Sequence, residues 1–142
     1  MQALRAAQAT QASQAFKLLG AGDAAAALVI ARTLGADARR APDAQHLLAL
    51  CLTAVGDIDA AADAFRTALR LAPGQPAILA NFARMQRQAG RLDDAIATWR
   101  QLTAARPTLA DGWSNLGLTL LDAGRAEQAA EALRRAIGID PR

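Results

Sequence analysis

The sequence has no tyrosine, one cysteine, one histidine and one lysine, and only 4% of its residues are aromatic. With Cys51 alone, no internal disulfide can form. An isolated cysteine of this kind reads as a small buried hydrophobe and suits a reducing compartment. His46 has neither a second histidine nor a Cys–His spacing beside it, so no metal site is expected. It stands five positions from Cys51, and on one helix the two would point in different directions, which argues against a base and nucleophile pair. There is no phosphate loop, no G-x-G-x-x-G and no G-x-S-x-G. No catalytic residue and no cofactor are therefore expected. Long hydrophobic runs are missing too. The longest, residues 24–31, is far too short to cross a bilayer, and residues 1–20 carry Gln, Ser and Thr where a signal peptide needs an apolar core. The expectation is a soluble, cytoplasmic chain without a membrane partner. The net charge of +3 comes almost wholly from arginines spread along the length. Nucleic-acid binding calls for a dense basic patch, so no nucleic-acid partner is expected.

What the chain does have is alanine and a period. It is 53% hydrophobic and rich in Ala, Leu, Arg and Gln, which favours helices that pack closely. Gly22, Gly56, Gly90 and Gly124 are each 34 residues apart, and Pro73, Pro107 and Pro141 keep the same step. A fixed period of this length signals a stack of repeated units, none of which can hide its apolar surface alone. Between the breakers, the patterns predict eight helices, at about residues 2–19, 24–34, 43–54, 59–71, 77–88, 93–105, 111–122 and 127–138. The second should stop at Gly35, and Pro42 suits the start of the third. Asp59, Asp93 and Glu127 recur where the second helix of a unit begins, where a carboxylate can accept orphan backbone N–H groups.

Trp113, Leu116, Gly117, Ala129 and Pro141 resemble the tetratricopeptide repeat pattern W-x-x-L-G…A…P, with Leu120 and Leu133 where that family favours Tyr and Phe. Leu48, Ala49, Leu52, Gly56, Ala61, Phe65 and Pro73 carry the likeness in a second unit, and Phe82, Ala83, Gly90, Ala95, Trp99 and Pro107 in a third. The first unit keeps Ala15, Leu18, Gly22 and Ala27, but Arg39 replaces its closing proline. The resemblance implies an all-α solenoid, a right-handed superhelix of four helix-turn-helix repeats. It would form a single domain over residues 1–142, with repeats at about 8–41, 42–75, 76–109 and 110–142. The array is most similar to those preceding bacterial transferase domains.

The family implies a concave groove lined by the first helix of each unit. Here its expected lining is Phe16, His46, Leu47, Leu50, Asn81, Arg84, Arg87, Gln88, Asn115, Leu118 and Asp122, apolar in the first half and polar in the second. Asn81 and Asn115 resemble the asparagine ladder in the repeats of O-linked N-acetylglucosamine transferases. A side-chain amide both donates and accepts, so it can hold a peptide backbone whatever the sequence. The alternative is that asparagine at this position merely faces water. Leu47 and Ser13 interrupt the ladder. The family's carboxylate clamp is mostly missing, since its positions fall on Ala12, Phe16, Ala77 and Asn81. Arg32, Arg66, Arg100 and Arg134 also recur every 34 residues and read as a solvated outer row making local ion pairs.

Three functional expectations follow. The first is a non-catalytic module that binds an extended or helical segment of a protein partner. Asn81 and Asn115 would hold backbone, Arg84 and Arg87 would attract acidic side chains, and Phe16, Leu47 and Leu50 would hold an apolar anchor. The second is the substrate-recognition arm of a larger enzyme (a glycosyltransferase, sulfotransferase or oxygenase), because the chain ends where a repeat ends, with no polar capping helix. The third is a homodimer formed through the uncapped last helix, with Leu133, Ala136, Ile137 and Ile139.

Overall fold

The structure, a computed structural model, describes residues 2–142, the side chain of Leu4 excepted. Among them are eight α-helices and no strand: α1 (Gln2–Gly20), α2 (Ala24–Asp37), α3 (Pro42–Ala54), α4 (Ile58–Leu71), α5 (Pro76–Gln88), α6 (Leu92–Ala105), α7 (Ala110–Asp122) and α8 (Ala126–Ile139). None is long and apolar enough to cross a membrane. The helices fall into two compact units, Met1–Pro73 and Gly74–Arg142.

Each unit is a run of helices packed in sequence order. In the first, α1 lies on α2, α2 on α3 and α3 on α4, and α1 also reaches α3. In the second, α5 lies on α6, α6 on α7 and α7 on α8. The cores are small side chains around a few large ones. Ala27, Ala31, Ala49, Ala61 and Ala68 are buried around Phe65 and Leu47 in the first unit, and Ala83, Ala95 and Ala129 around Trp99, Met85 and Leu120 in the second. Alanine at these positions lets neighbouring backbones approach, and burial of the large residues supplies the drive.

The turns follow from one recurring residue. Gly22, Gly56, Gly90 and Gly124 all have φ between 75° and 86°, a left-handed conformation that side chains disfavour. Such a glycine closes a helix and reverses the chain inside each pair. Pro42 and Pro76 open α3 and α5, where a missing N–H costs nothing.

Two local expectations need correction. The second helix does not stop at Gly35 but continues to Asp37. Gly35 is buried there, Leu48 Cδ2 lies 3.3 Å from where its Cβ would be, and Gln45 Nε2 donates to its carbonyl oxygen at 3.3 Å. The missing side chain makes room for α3, and that packing overrides the local break. The recurring carboxylates are not the caps either. Asp59, Asp93 and Glu127 lie inside the first turn of α4, α6 and α8. The capping oxygen of α4 belongs to Asp57, which accepts from the Ala60 N–H, and Asp23 does the same for α2. In α6 and α8 the cap positions hold Arg91 and Arg125, neither of which makes a side-chain cap. Asp93 instead accepts from Arg125 Nη2 at 2.6 Å, which ties α6 to the turn before α8. A first-turn acid still favours the positive helix end by charge alone.

Candidate functional site

In the second unit, the first helices α5 and α7 flank a hollow of about 290 Å³, floored by Trp99 and Leu102 of α6. Asn81 and Arg84 come to it from α5, Asp111 and Asn115 from α7. The helical step explains the set, since positions three and four apart share a face and the 34-residue period repeats that face one pair later. Both asparagines are half-buried, and both have local partners. Asn115 Nδ2 donates to the Asp111 carbonyl at 2.8 Å, and Asn81 Oδ1 accepts from Arg84 Nη1 at 3.3 Å.

Arg84 and Arg87 turn out to be different. Arg87 Nε donates to Asp122 Oδ2, so two of the expected groove residues meet each other across α5 and α7. Arg84 is exposed, and its guanidinium carbon lies 6.0 Å from the centre of the Trp99 ring. A cation over an indole face is worth about 0.5–1 kcal/mol at such a site. Trp99 is only 1% exposed, and its Nε1 is the one buried side-chain polar atom without a hydrogen-bond partner among the described residues. An unmet buried donor costs roughly 1–3 kcal/mol. Trp113 makes the contrast. Its Nε1 donates to the Pro107 carbonyl at 2.9 Å, and its ring is covered by Arg135 at 4.8 Å, beside a separate hollow of about 490 Å³ on the α6 and α8 side.

In the first unit, a more apolar hollow of about 390 Å³ lies among α1, α2 and α3, bordered by Ala12, Phe16, Leu34, Asp43, His46 and Leu47. Phe16 is 53% exposed at its edge, whereas Leu47 is 2% exposed and belongs to the floor, a correction to its role as open lining. The His46 ring lies 6.0 Å from the Phe65 ring, tilted by 51°. Burial lowers the His46 pKa, and the Asp43 carboxylate partly offsets this, so the imidazole stays neutral near neutral pH. Cys51 is fully buried, and loss of solvation pushes its thiol up to about 11.

Of the remaining expected residues, Leu50 is half-buried, Gln88 and Asp122 are exposed, and Leu118 is 43% exposed. The four recurring arginines are exposed. Arg66 pairs with Asp63 at 3.2 Å and Arg100 donates to Gln128 at 3.0 Å. On α8, Ile137 and Ile139 face solvent as expected, but Ala136 is buried and Leu133 turns inward to fill the space left by Gly117.

Trp99 was missed as a site residue from the sequence, where it counted only among the residues that carry the family likeness of the third unit. A signal existed, because Phe65 and Leu133 hold the equivalent positions and neither carries a polar atom.

Comparison with known proteins follows the same 34-residue frame. Two family models, both described as tetratricopeptide repeat, match residues 81–142 and 42–85, and together they cover more than half of the chain. The chain is 33% identical over 85 residues to the small glutamine-rich tetratricopeptide repeat-containing protein 2 of Mycosarcoma maydis, covering 60% of this chain and 24% of that protein. It is 31% identical over 86 residues to the Hsp70-Hsp90 organizing protein of Triticum aestivum, covering 61% of this chain and 15% of that one. The chain thus spans a quarter or less of the length of these relatives. Among solved structures, a crystal structure of MamA superposes with a TM-score of 0.84 at 16% identity, over 94% of this chain and 78% of that one. At that identity the likeness speaks for fold alone, an all-α solenoid of helix-turn-helix repeats. Period, fold and family models agree, and the chain belongs to the tetratricopeptide repeat family.

Proposed function

We propose that the chain is a non-catalytic protein-interaction module, built as four repeats at about residues 8–41, 42–75, 76–109 and 110–142, that takes an extended or helical partner segment on the side of its first helices. The observation that carries this reading is the hollow between α5 and α7, where Asn81 and Asn115 stand one repeat apart with Arg84 beside them. Asn115 spends its N–H on its own helix, which leaves its Oδ1 to accept from a partner backbone. Asn81 and Arg84 form a bonded pair that can meet a carbonyl together. In the first unit, Phe16 and the apolar hollow over Leu47, with His46 at its border, suit an apolar anchor. Arg87 and Asp122 satisfy each other and stiffen the polar side rather than recruit a partner. The two relatives at above 30% identity are themselves proteins built with such repeats or named for organising other proteins, which supports the class of function and leaves the partner open.

The test begins with capture of a partner by the wild-type chain and identification of the bound segment by mass spectrometry. The combined substitution Asn81→Ala and Asn115→Ala should then raise the segment's Kd about tenfold or more while the helical signal and thermal midpoint hold. An unchanged Kd rejects the assignment of these asparagines.

A second reading, self-association through α8, is favoured by the 61% exposure of Ile137 next to Ile139. The substitution Ile137→Glu should then dissociate a dimer seen by sedimentation at high micromolar concentration. A wild-type chain that stays monomeric there removes the reading.

A further inference from the structure

From the same hollow we infer the chemistry of what it receives: an acidic side chain from the interior of the partner segment, bound by Arg84 and the indole N–H of Trp99. This rests on the groove reading above and sharpens it.

Two independent observations point to an acceptor with negative charge. The first is the unmatched guanidinium. Arg87 is committed to Asp122, but Arg84 has no carboxylate bonded to it among the described residues; it donates to an amide oxygen and covers a ring. A guanidinium carries five N–H donors, and one bond to Asn81 leaves most of them unspent. The second is the orphan donor. Trp99 lines the hollow beneath Arg84, is almost wholly buried, and its Nε1–H finds no acceptor, while the other tryptophan of the chain is fully bonded. The Asp111 carboxylate and Asn115 lie on the α7 side of the hollow, but neither is bonded to the Arg84 guanidinium or to the indole N–H. Donors left unspent on the α5 and α6 side favour an acceptor-only guest there. A carboxylate supplies up to four lone-pair sites, and an Arg-to-carboxylate bond is charge-assisted. A lysine, an arginine or an aliphatic side chain would leave the indole unmet and place nothing against the guanidinium. Asn81 and Asn115 lie one repeat apart and line the same hollow as Arg84, so a backbone held by the two passes beside Arg84 mid-segment. That geometry fits a side-chain carboxylate rather than a chain end. When Arg84 turns to meet the guest, it leaves the indole face, and the surroundings of Trp99 change with it.

The indole N–H resonance reads this directly. The probe is a blocked heptapeptide with one central glutamate in a glycine–serine background, titrated to millimolar concentration into the full chain. The controls are the same peptide with glutamine, and one with glutamine and a free C-terminal carboxylate. The expected result is a downfield shift of the Trp99 indole N–H with the glutamate peptide. The Trp113 signal should stay still, the blocked glutamine peptide should produce no shift, and the exposed substitution Arg84→Gln, with its thermal midpoint checked against wild type, should abolish the effect. Three outcomes overturn the inference. If both blocked peptides move the Asn81 and Asn115 signals equally with Trp99 still, the groove reading stands and the acidic preference falls. If only the free carboxylate moves Trp99, the site receives a chain end instead. If no peptide moves any of these signals, the carboxylate site is absent, and the groove reading is decided separately by the asparagine substitutions with a captured partner.

Discussion

On α3, burial acts on Cys51 and His46 in opposite directions, because it disfavours the charged form of each. The Cys51 thiol titrates at about 11 in the folded chain against 9.0 for the ordinary group. The unfolded chain therefore loses this proton first as pH rises, and the folded state binds more protons across that window. Stability should fall between about pH 9 and 11, by up to roughly 2–3 kcal/mol, and Cys51→Ala should remove that slope. The lowered His46 pKa works at the other end. Below about pH 6.5 the unfolded imidazole takes a proton that the folded one resists, so stability falls again with acid. Urea midpoints across a pH series, wild type against Cys51→Ala, check the first claim. A wild-type curve flat from neutral to strongly alkaline pH contradicts it. The sequence already marked both residues as structural, because neither had a partner of the right chemistry at the right spacing. It could not give the shifts, which depend on what packs against α3, the Phe65 ring of α4 beside His46 among others.

At the scale of the element, Gly117 and Gly138 make opposite cases in neighbouring helices. A Cβ on Gly117 would stand 2.6 Å from Leu133 Cγ and 3.3 Å from the Ala129 carbonyl oxygen, where α7 and α8 pack. Neither atom is the end of a free-swinging chain. Gly117→Ala should cost about 1–3 kcal/mol through overpacking. Gly138, in the last turn of α8, has nothing within 4 Å, and Gly138→Ala should gain about 0.4–1 kcal/mol by restricting the unfolded chain. Thermal and urea unfolding of the pair of variants tests both signs at once; equal effects contradict the packing account. The motif named Gly117 from sequence, but not what it accommodates, since Leu133 lies sixteen residues further on. Helix existence and most ends were legible because glycine and proline punctuate locally. The run of α2 through Gly35 was not, because the contact that permits it comes from Gln45 and Leu48 on the next helix. The caps were misread for a simpler reason. Asp57 and Asp59 are both acidic, and only backbone geometry decides which one faces the free N–H groups.

For the molecule as a whole, a repeat array gains stability mainly from neighbour contacts, so a local insult should stay local. Amide exchange in Gly117→Ala should quicken first in α7 and α8, with α1 to α4 of the other compact unit little changed. Much of the candidate site followed from the period alone. Asn81 and Asn115 meet in one hollow because they share a repeat position on successive first helices. The Arg87–Asp122 pair and the unmet Trp99 donor did not follow, since each depends on how side chains turn between helices rather than on spacing. The most direct test of the interaction-module account is a backbone amide shift map of the chain with its captured partner segment. The account predicts changes gathered on α5 and α7 around Asn81, Arg84 and Asn115, with a second cluster around Phe16 and His46. Changes confined to the second helices, around Arg66, Arg100 and Arg135, would contradict it.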